Sequence, residues 1–192
     1  MIFAPPARFL LLEELLVLEE LSALQEHVSA REGDFARSGV MAGADPAYRD
    51  YRRSRVLLDT GPFHALFAAR IAFYFRRILA ALGHAPFAMT RVESQITESN
   101  DGDYFRVHDD STGGCPTSRE VSYVYFFHRE PKRFEGGELV LYDAAEPPVE
   151  VVPRQNAVVF FESARLHEVK PVVCPSRRFG DGRLTLNGWI HR

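Results

Sequence analysis

The chain has 192 residues, 46% of them hydrophobic and 26% charged, with a formal net charge of −3. That is enough apolar material for a single packed domain over 1–192, and the lack of a basic excess argues against a nucleic-acid partner. Cys115 and Cys174 both precede proline. Two cysteines do not make a disulfide framework, so both read as free thiols of a cytoplasmic protein.

The apolar run Phe9-Leu10-Leu11-Leu12 is cut by Glu13 and Glu14. No apolar stretch approaches the roughly 20 residues of a membrane span, so no membrane partner is expected. Leu11, Leu15, Leu18, Leu21 and Leu24 have helical spacing with glutamates between them, which predicts a helix over 7–30 ending near Gly33. Residues 32–60 are punctuated by Gly33, Gly39, Gly43 and Pro46 and read as loop with short strands or turns. Within them, Tyr48 to Arg55 is a basic run with two tyrosines. Such runs can read single-stranded nucleic acid, but one short run in an acidic chain reads better as a solvated face or a substrate rim. Asp59-Thr60-Gly61-Pro62 offers a capping residue and a first-turn proline, so a helix is predicted from Phe63 to Leu82, stopped by Gly83. Its aromatics (Phe63, Phe67, Phe73, Tyr74, Phe75) read as a face buried on a sheet.

From Phe87 the character changes. Strand-like runs fall at 91–97, 104–108, 120–127, 137–142, 149–152, 157–161, 166–173 and 183–190, separated by Gly, Pro, Asn and Asp turns. The expected class is α+β, mainly β. Residues 1–86 supply helical support and loops, and 87–192 form a sandwich or barrel core. No internal repeat or linker is visible.

The chemistry gathers at Tyr104-Phe105-Arg106-Val107-His108-Asp109-Asp110. In a strand, residues i and i+2 share a face, so His108 and Asp110 would project into one cavity. His167, in Arg165-Leu166-His167-Glu168-Val169, offers a third ligand. Two His and one carboxylate form the facial triad of non-haem Fe(II) oxygenases, which leaves positions open for substrate and O₂. In the last run, Arg183, Thr185 and Asn187 share a strand face. An inward Arg is costly unless it meets an anion, and a carboxylate is its natural bidentate partner. Arg177 and Arg178, in a loop-like stretch, compete for that role. Tyr123 and Tyr125 share a face, which is either the cavity or the sheet surface. Gly136-Gly137 reads as a tight turn into a strand, and Asn156 as a turn residue that tolerates left-handed backbone.

Taken in order, these pieces resemble the 2-oxoglutarate/Fe(II)-dependent dioxygenases, in their prolyl-4-hydroxylase-like branch. They are Asp101 to Asp110, Arg119 to Phe127, Phe134-Glu135-Gly136-Gly137-Glu138-Leu139, Asn156 to Phe161, His167-Glu168-Val169, Arg183 and Trp189. The resemblance covers roughly 90–192 and implies a double-stranded β-helix, or jelly roll. It implies Fe(II) held by His108, Asp110 and His167. It also implies 2-oxoglutarate as cosubstrate, its far carboxylate on Arg183 with Thr185 beside it, and Tyr123 or Tyr125 as further contacts. O₂ would be the second cosubstrate and ascorbate an optional reductant. The implied reaction hydroxylates an unactivated C–H bond of a prolyl residue in a protein or of a small amino-acid-like substrate, with 2-oxoglutarate leaving as succinate and CO₂.

The chain departs from the family pattern in two places. Arg183 lies sixteen residues after His167, further than usual, so a loop must bulge out over 174–182. Ser99 and Glu98 stand where a cosubstrate tyrosine is common. Two other readings compete: a cupin-like metalloenzyme without an oxo-acid, and a non-catalytic jelly-roll binding module. Neither gives a buried Arg183 an anion.

Overall fold

The computed structural model describes residues 8–38, 51–111 and 118–192. Cys115 and the first three residues of the Tyr48–Arg55 run lie outside the described residues, and the loop readings at 32–60 and 111–119 lie partly outside them.

The helix predicted over 7–30 is two elements. Strand β1 (Leu10–Glu13) precedes helix α1 (Leu18–Ala30). Leu10, Leu11 and Leu12 are apolar on both strand faces, and a strand between two layers buries both. Leu12 joins the core beneath the helices, while Leu11 packs against the cluster between the sheets. The break falls at Glu14, with φ 54°. Asn156 clamps the linker that follows: its Oδ1 accepts from Leu16 N at 2.9 Å and its Nδ2 donates to Leu16 O at 2.8 Å. Asn156 takes left-handed backbone (φ 59°), as its turn position suggests, and its amide is used as well. Helix α1 buries Leu21, Leu24 and Val28.

Strands β2 (Ala36–Arg37), β3 (Arg52–Arg53) and β4 (Arg55–Leu57) lead to helix α2 (Phe63–Leu82), whose bounds are those predicted. Gly83 ends it at φ 66°, a conformation that glycine adopts without a Cβ penalty. Asp59 does not cap the helix as expected. Its Oδ1 accepts from Gly61 N at 3.0 Å, tightening the turn ahead of Pro62, which holds the cap position. Phe67, Ile71 and Ile78 are buried, but Phe73 is exposed, so the aromatic face of α2 is only partly a packing face. Truncating the fully buried Phe67 to alanine should cost about 3–5 kcal/mol.

The remaining strands are β5 (Arg91–Ser99), β6 (Tyr104–His108), β7 (Arg119–Phe127), β8 (Glu135–Gly136), β9 (Leu139–Leu141), β10 (Val149–Val151), β11 (Ala157–Glu162), β12 (His167–Val169), β13 (Val172–Val173) and β14 (Arg183–His191). The predicted run 166–173 splits in two, with Pro171 between β12 and β13, while the run 137–142 becomes β9 alone. A short strand that the sequence did not suggest, β8, precedes it, and Gly136 at its end and Gly137 after it both take positive φ. β13 and β8 pair as a ribbon.

Seven strands form a major sheet in the order β1-β11-β7-β14-β5-β4-β2, and five form a minor sheet in the order β10-β9-β12-β6-β3. All pairings are antiparallel. β5, β7, β11 and β14 lie in the major sheet and β6, β9, β10 and β12 in the minor, so the chain crosses repeatedly between the sheets, the winding of a double-stranded β-helix. Alternation along β14 divides its duties. Leu184, Leu186 and Ile190 join the core under α1 and α2, while Arg183, Thr185, Asn187 and Trp189 line a cavity between the sheets. Phe126, Leu139, Leu141, Val159 and Phe161 form a second apolar cluster, from which Leu139 lines that cavity.

Candidate active site

His108 and His167 stand opposite each other on the antiparallel pair β6–β12. Their rings are 4.1 Å apart between centroids. Asp110 joins them by a route other than the one expected. Strand β6 ends at His108, so Asp110 does not share its face by strand alternation. Instead Asp110 N donates to Ser163 O at 2.8 Å, and its carboxylate turns back toward the two rings. Asp110 Oδ1 lies 3.9 Å from His108 Nε2, and Oδ2 lies 3.5 Å from His167 Nε2. One ligand atom from each residue falls within 4.8 Å of the others.

The histidines are aimed. Nδ1 of His108 is 2.8 Å from Arg106 O, and Nδ1 of His167 is 2.8 Å from Arg165 O. A carbonyl only accepts, so each Nδ1 carries the proton and each Nε2 presents a lone pair to the centre. Burial and the neighbouring His167 pull His108 down to about 4, which keeps it neutral and ready to ligate at pH 7. Phe105 stacks on the His108 ring at 3.5 Å. The register of β6 shifts against β12 between these pairs, a bulge that turns both Phe105 and His108 inward. Asp109 and Glu168 face elsewhere, as expected: Asp109 Oδ1 accepts from Ser111 N, and Glu168 Oε1 from Tyr142.

Arg183 lines the same cavity at 3% exposure. Its Nε donates to Gly137 O at 2.7 Å, and its guanidinium lies over Phe126 at 5.2 Å. Nη2 is buried with no partner among the described residues. Burial brings Arg183 down to about 10, still charged at neutral pH. A buried guanidinium with an open nitrogen is a site for an anion. Gly137 makes room for it: a Cβ there would sit 2.6 Å from Arg183 Cδ. Thr185 follows on the same face and donates to Asn187 Oδ1 at 3.3 Å. Arg177 is 78% exposed and binds Asp101 on the outside, so Arg183 and not Arg177 faces the cavity.

Tyr123 and Tyr125 point to the helix side of β7, against Phe67. Their hydroxyls donate to Glu93 O and Asn156 Oδ1, both at 2.9 Å. Only Tyr123 borders the cavity at all. The opposite parity of β7 faces inward, as Ser122, Val124 and Phe126. A different tyrosine, Tyr104, does line the cavity, as does Ser99; Glu98 is buried on the helix side with Arg55.

Sequence reasoning missed Arg52. It lines the cavity from β3, donates Nε to Ser54 Oγ at 2.9 Å and lies over Phe105 at 4.8 Å. Burial lowers it to about 10, with Asp110 opposing the shift. It belongs to the basic run read as a solvated face or substrate rim, and the signal was the small strand break at Ser54.

The model of the 2OG-Fe(II) oxygenase superfamily matches residues 94–191. A PKHD-type hydroxylase of Synechocystis sp., itself called uncharacterized, is 40% identical over 153 residues, covering 74% of this chain and 50% of its own length. The chain belongs to the 2OG-Fe(II) oxygenase superfamily. It spans about half the length of that curated relative. Among solved structures, a Pseudomonas putida prolyl-4-hydroxylase superposes with TM-score 0.71 at 23% identity, over 96% of this chain and 93% of its own. A Trichoplax adhaerens prolyl hydroxylase, solved with a hypoxia-inducible-factor peptide fragment, superposes with TM-score 0.73 at 16% identity, over 96% and 83%. Both share the fold.

The residues present fit Fe(II) and 2-oxoglutarate. Two aimed imidazoles and a carboxylate suit a divalent iron with open positions, and the open Nη2 of Arg183 calls for an anion.

Proposed function

We propose that this chain carries out Fe(II)- and 2-oxoglutarate-dependent hydroxylation of an unactivated C–H bond. The substrate class is a prolyl residue in a protein or a small amino-acid-like molecule, and the setting is the cytoplasm. One observation carries the reading: a His108/Asp110/His167 cluster and a buried Arg183 with an open nitrogen face one cavity. A cupin-like enzyme without an oxo-acid, or a binding module, leaves that Arg without an anion. Among the described residues no helix is long and apolar enough to cross a membrane, and Cys174 is a buried free thiol.

His108 Nε2, His167 Nε2 and an Asp110 oxygen would hold Fe(II). Arg183 would hold the far carboxylate of 2-oxoglutarate, with Thr185 beside it. Arg52, on the opposite wall, would face the substrate side. Phe105 covers His108 and limits water at the centre. Iron with bound 2-oxoglutarate supplies the oxidising power: one oxygen atom of O₂ enters the substrate, the other enters succinate, and CO₂ leaves. The protein contributes placement, aimed imidazoles and a charge for the cosubstrate.

Succinate formation from 2-oxoglutarate tests this reading, measured with Fe(II), O₂ and ascorbate and with prolyl peptides and free amino acids as candidates. Iron-dependent succinate that disappears in His108→Ala and Asp110→Ala supports it. No iron-dependent succinate with any candidate, or full turnover in either variant, counts against it.

A further inference from the structure

Asp110 is held from both ends by the same pair of serines. Its backbone N–H donates to Ser163 O at 2.8 Å, and its Oδ2 accepts from Ser122 Oγ at 2.6 Å. Ser122 Oγ and Ser163 Oγ are 3.0 Å apart. A hydroxyl has one proton to give. Ser122 gives its proton to the carboxylate, so Ser163 donates to Ser122. Ser163 N in turn donates to Glu120 O at 3.0 Å, tying the loop after β11 to the start of β7. Both serines are buried, at 2% and 0% exposure. Donors in series polarise one another, and a hydrogen bond to an ionised carboxylate is about twice as strong as a neutral one. The neighbours of Ser122 on the inner face of β7 are Val124 and Phe126, so a hydroxyl here is not a packing need.

We propose that Ser122, oriented by Ser163, is a positioning residue that holds Asp110 as a one-oxygen metal ligand. Oδ2 already accepts the serine proton while 3.5 Å from His167 Nε2, and Oδ1, 3.9 Å from His108 Nε2, has no serine donor and would be the oxygen that serves the ion. This rests on the Fe(II) reading above. A carboxylate binding through both oxygens takes two coordination positions. Three single-atom ligands leave room for a two-point oxo-acid and O₂. Ser122 therefore keeps a position free without touching the metal, and the pair fixes a carboxylate that strand geometry alone leaves past the end of β6.

The test uses Co(II) as the probe metal, titrated into the apoprotein and followed by its visible absorption, whose intensity responds to coordination number. Ser122→Ala should weaken Co(II) binding at least about tenfold, the usual effect of losing a partner that orients a ligand, and should change the band intensity. Ser122→Thr keeps the hydroxyl and should stay within threefold of wild type in affinity, with the wild-type spectrum. Ser163→Ala keeps Ser122 but frees its hydroxyl, so it should weaken binding in the same direction by a smaller factor. If Ser122→Ala folds and binds Co(II) with unchanged affinity and spectrum, the proposal is overturned, even where its melting temperature falls. If Ser122→Ala does not fold, Ser163→Ala decides: unchanged binding there overturns the proposal. Wild type that binds no Co(II) or Fe(II) sinks the metal reading itself, a different failure from the serines being silent.

Discussion

Replacing Arg183 by methionine separates what the fold needs from what the cosubstrate needs. The guanidinium is buried, spends Nε on Gly137 O and leaves Nη2 open. On the reading above, 2-oxoglutarate completes it with charge-assisted hydrogen bonds worth about 1.5–3 kcal/mol each. Breaking a buried pair by removing one partner costs about 3–5 kcal/mol. At about 1.4 kcal/mol per tenfold, Arg183→Met should weaken 2-oxoglutarate binding roughly 10²- to 10³-fold. The apoprotein should respond differently. Methionine forfeits the bond to Gly137 O and the contact with Phe126, but it also removes a buried charge without an anion. The two effects oppose, so the apo melting temperature should move by less than about 4 °C, the shift expected for roughly 1 kcal/mol at this size. Saturating 2-oxoglutarate stabilises a binding protein by about 2.7 kcal/mol at 100 times its Kd, and the variant at the same concentration should show almost none of that. Calorimetric titration of metal-loaded protein, with thermal melts in parallel, reads both quantities. A variant that binds 2-oxoglutarate within threefold of wild type would refute the reasoning. So would an apoprotein that melts far below it.

Arg177→Ala should leave 2-oxoglutarate affinity unchanged in the same titration, because its exposed pair with Asp101 is worth at most about 1 kcal/mol. Gly137→Ala should weaken 2-oxoglutarate at least tenfold and lower stability by about 1–2 kcal/mol by denaturant titration. Its Cβ meets Arg183 Cδ at 2.6 Å, and φ 69° is left-handed backbone. His167→Ala should abolish metal binding by equilibrium dialysis while leaving the far-ultraviolet spectrum of the fold. Burial and Arg31 lower the pKa of His27, whose Nε2 is buried without a partner among the described residues. The folded state thus prefers neutral His27. Its contribution is whole above the unfolded value of about 6.5 and is lost as pH falls through the lower folded value. Stability should therefore drop below pH 6.5 in denaturant titrations, and His27→Gln should flatten part of that drop.

Much of the site was legible because its residues carry chemistry that the core has no use for. Two His, an Asp and an inward Arg stood out of runs that otherwise alternate cleanly, and the bounds of α2 followed from Pro62 and Gly83. The misreadings have local causes. Leu10–Leu12 fits a helical stripe and a strand equally well, and pairing with β11 decided it, which no short window contains. The parity of β7 could not be fixed from Tyr123 and Tyr125, since aromatics serve either face; the small Ser122 opposite them was the quieter signal. His108 and Asp110 do converge, but through Ser163 on a distant loop and not through strand alternation. Arg52 was hidden because a strand of two residues leaves almost no periodicity to read.

The most direct test of the central claim is an anaerobic titration of wild-type protein with Fe(II) and then 2-oxoglutarate, watched for the weak visible charge-transfer band of a chelated oxo-acid. The expected result is a band that saturates with one equivalent of iron, and that needs far more 2-oxoglutarate in Arg183→Met. Iron bound with no band at any 2-oxoglutarate concentration would contradict the account, because the cavity would then hold a metal without the oxo-acid that Arg183 is there to meet.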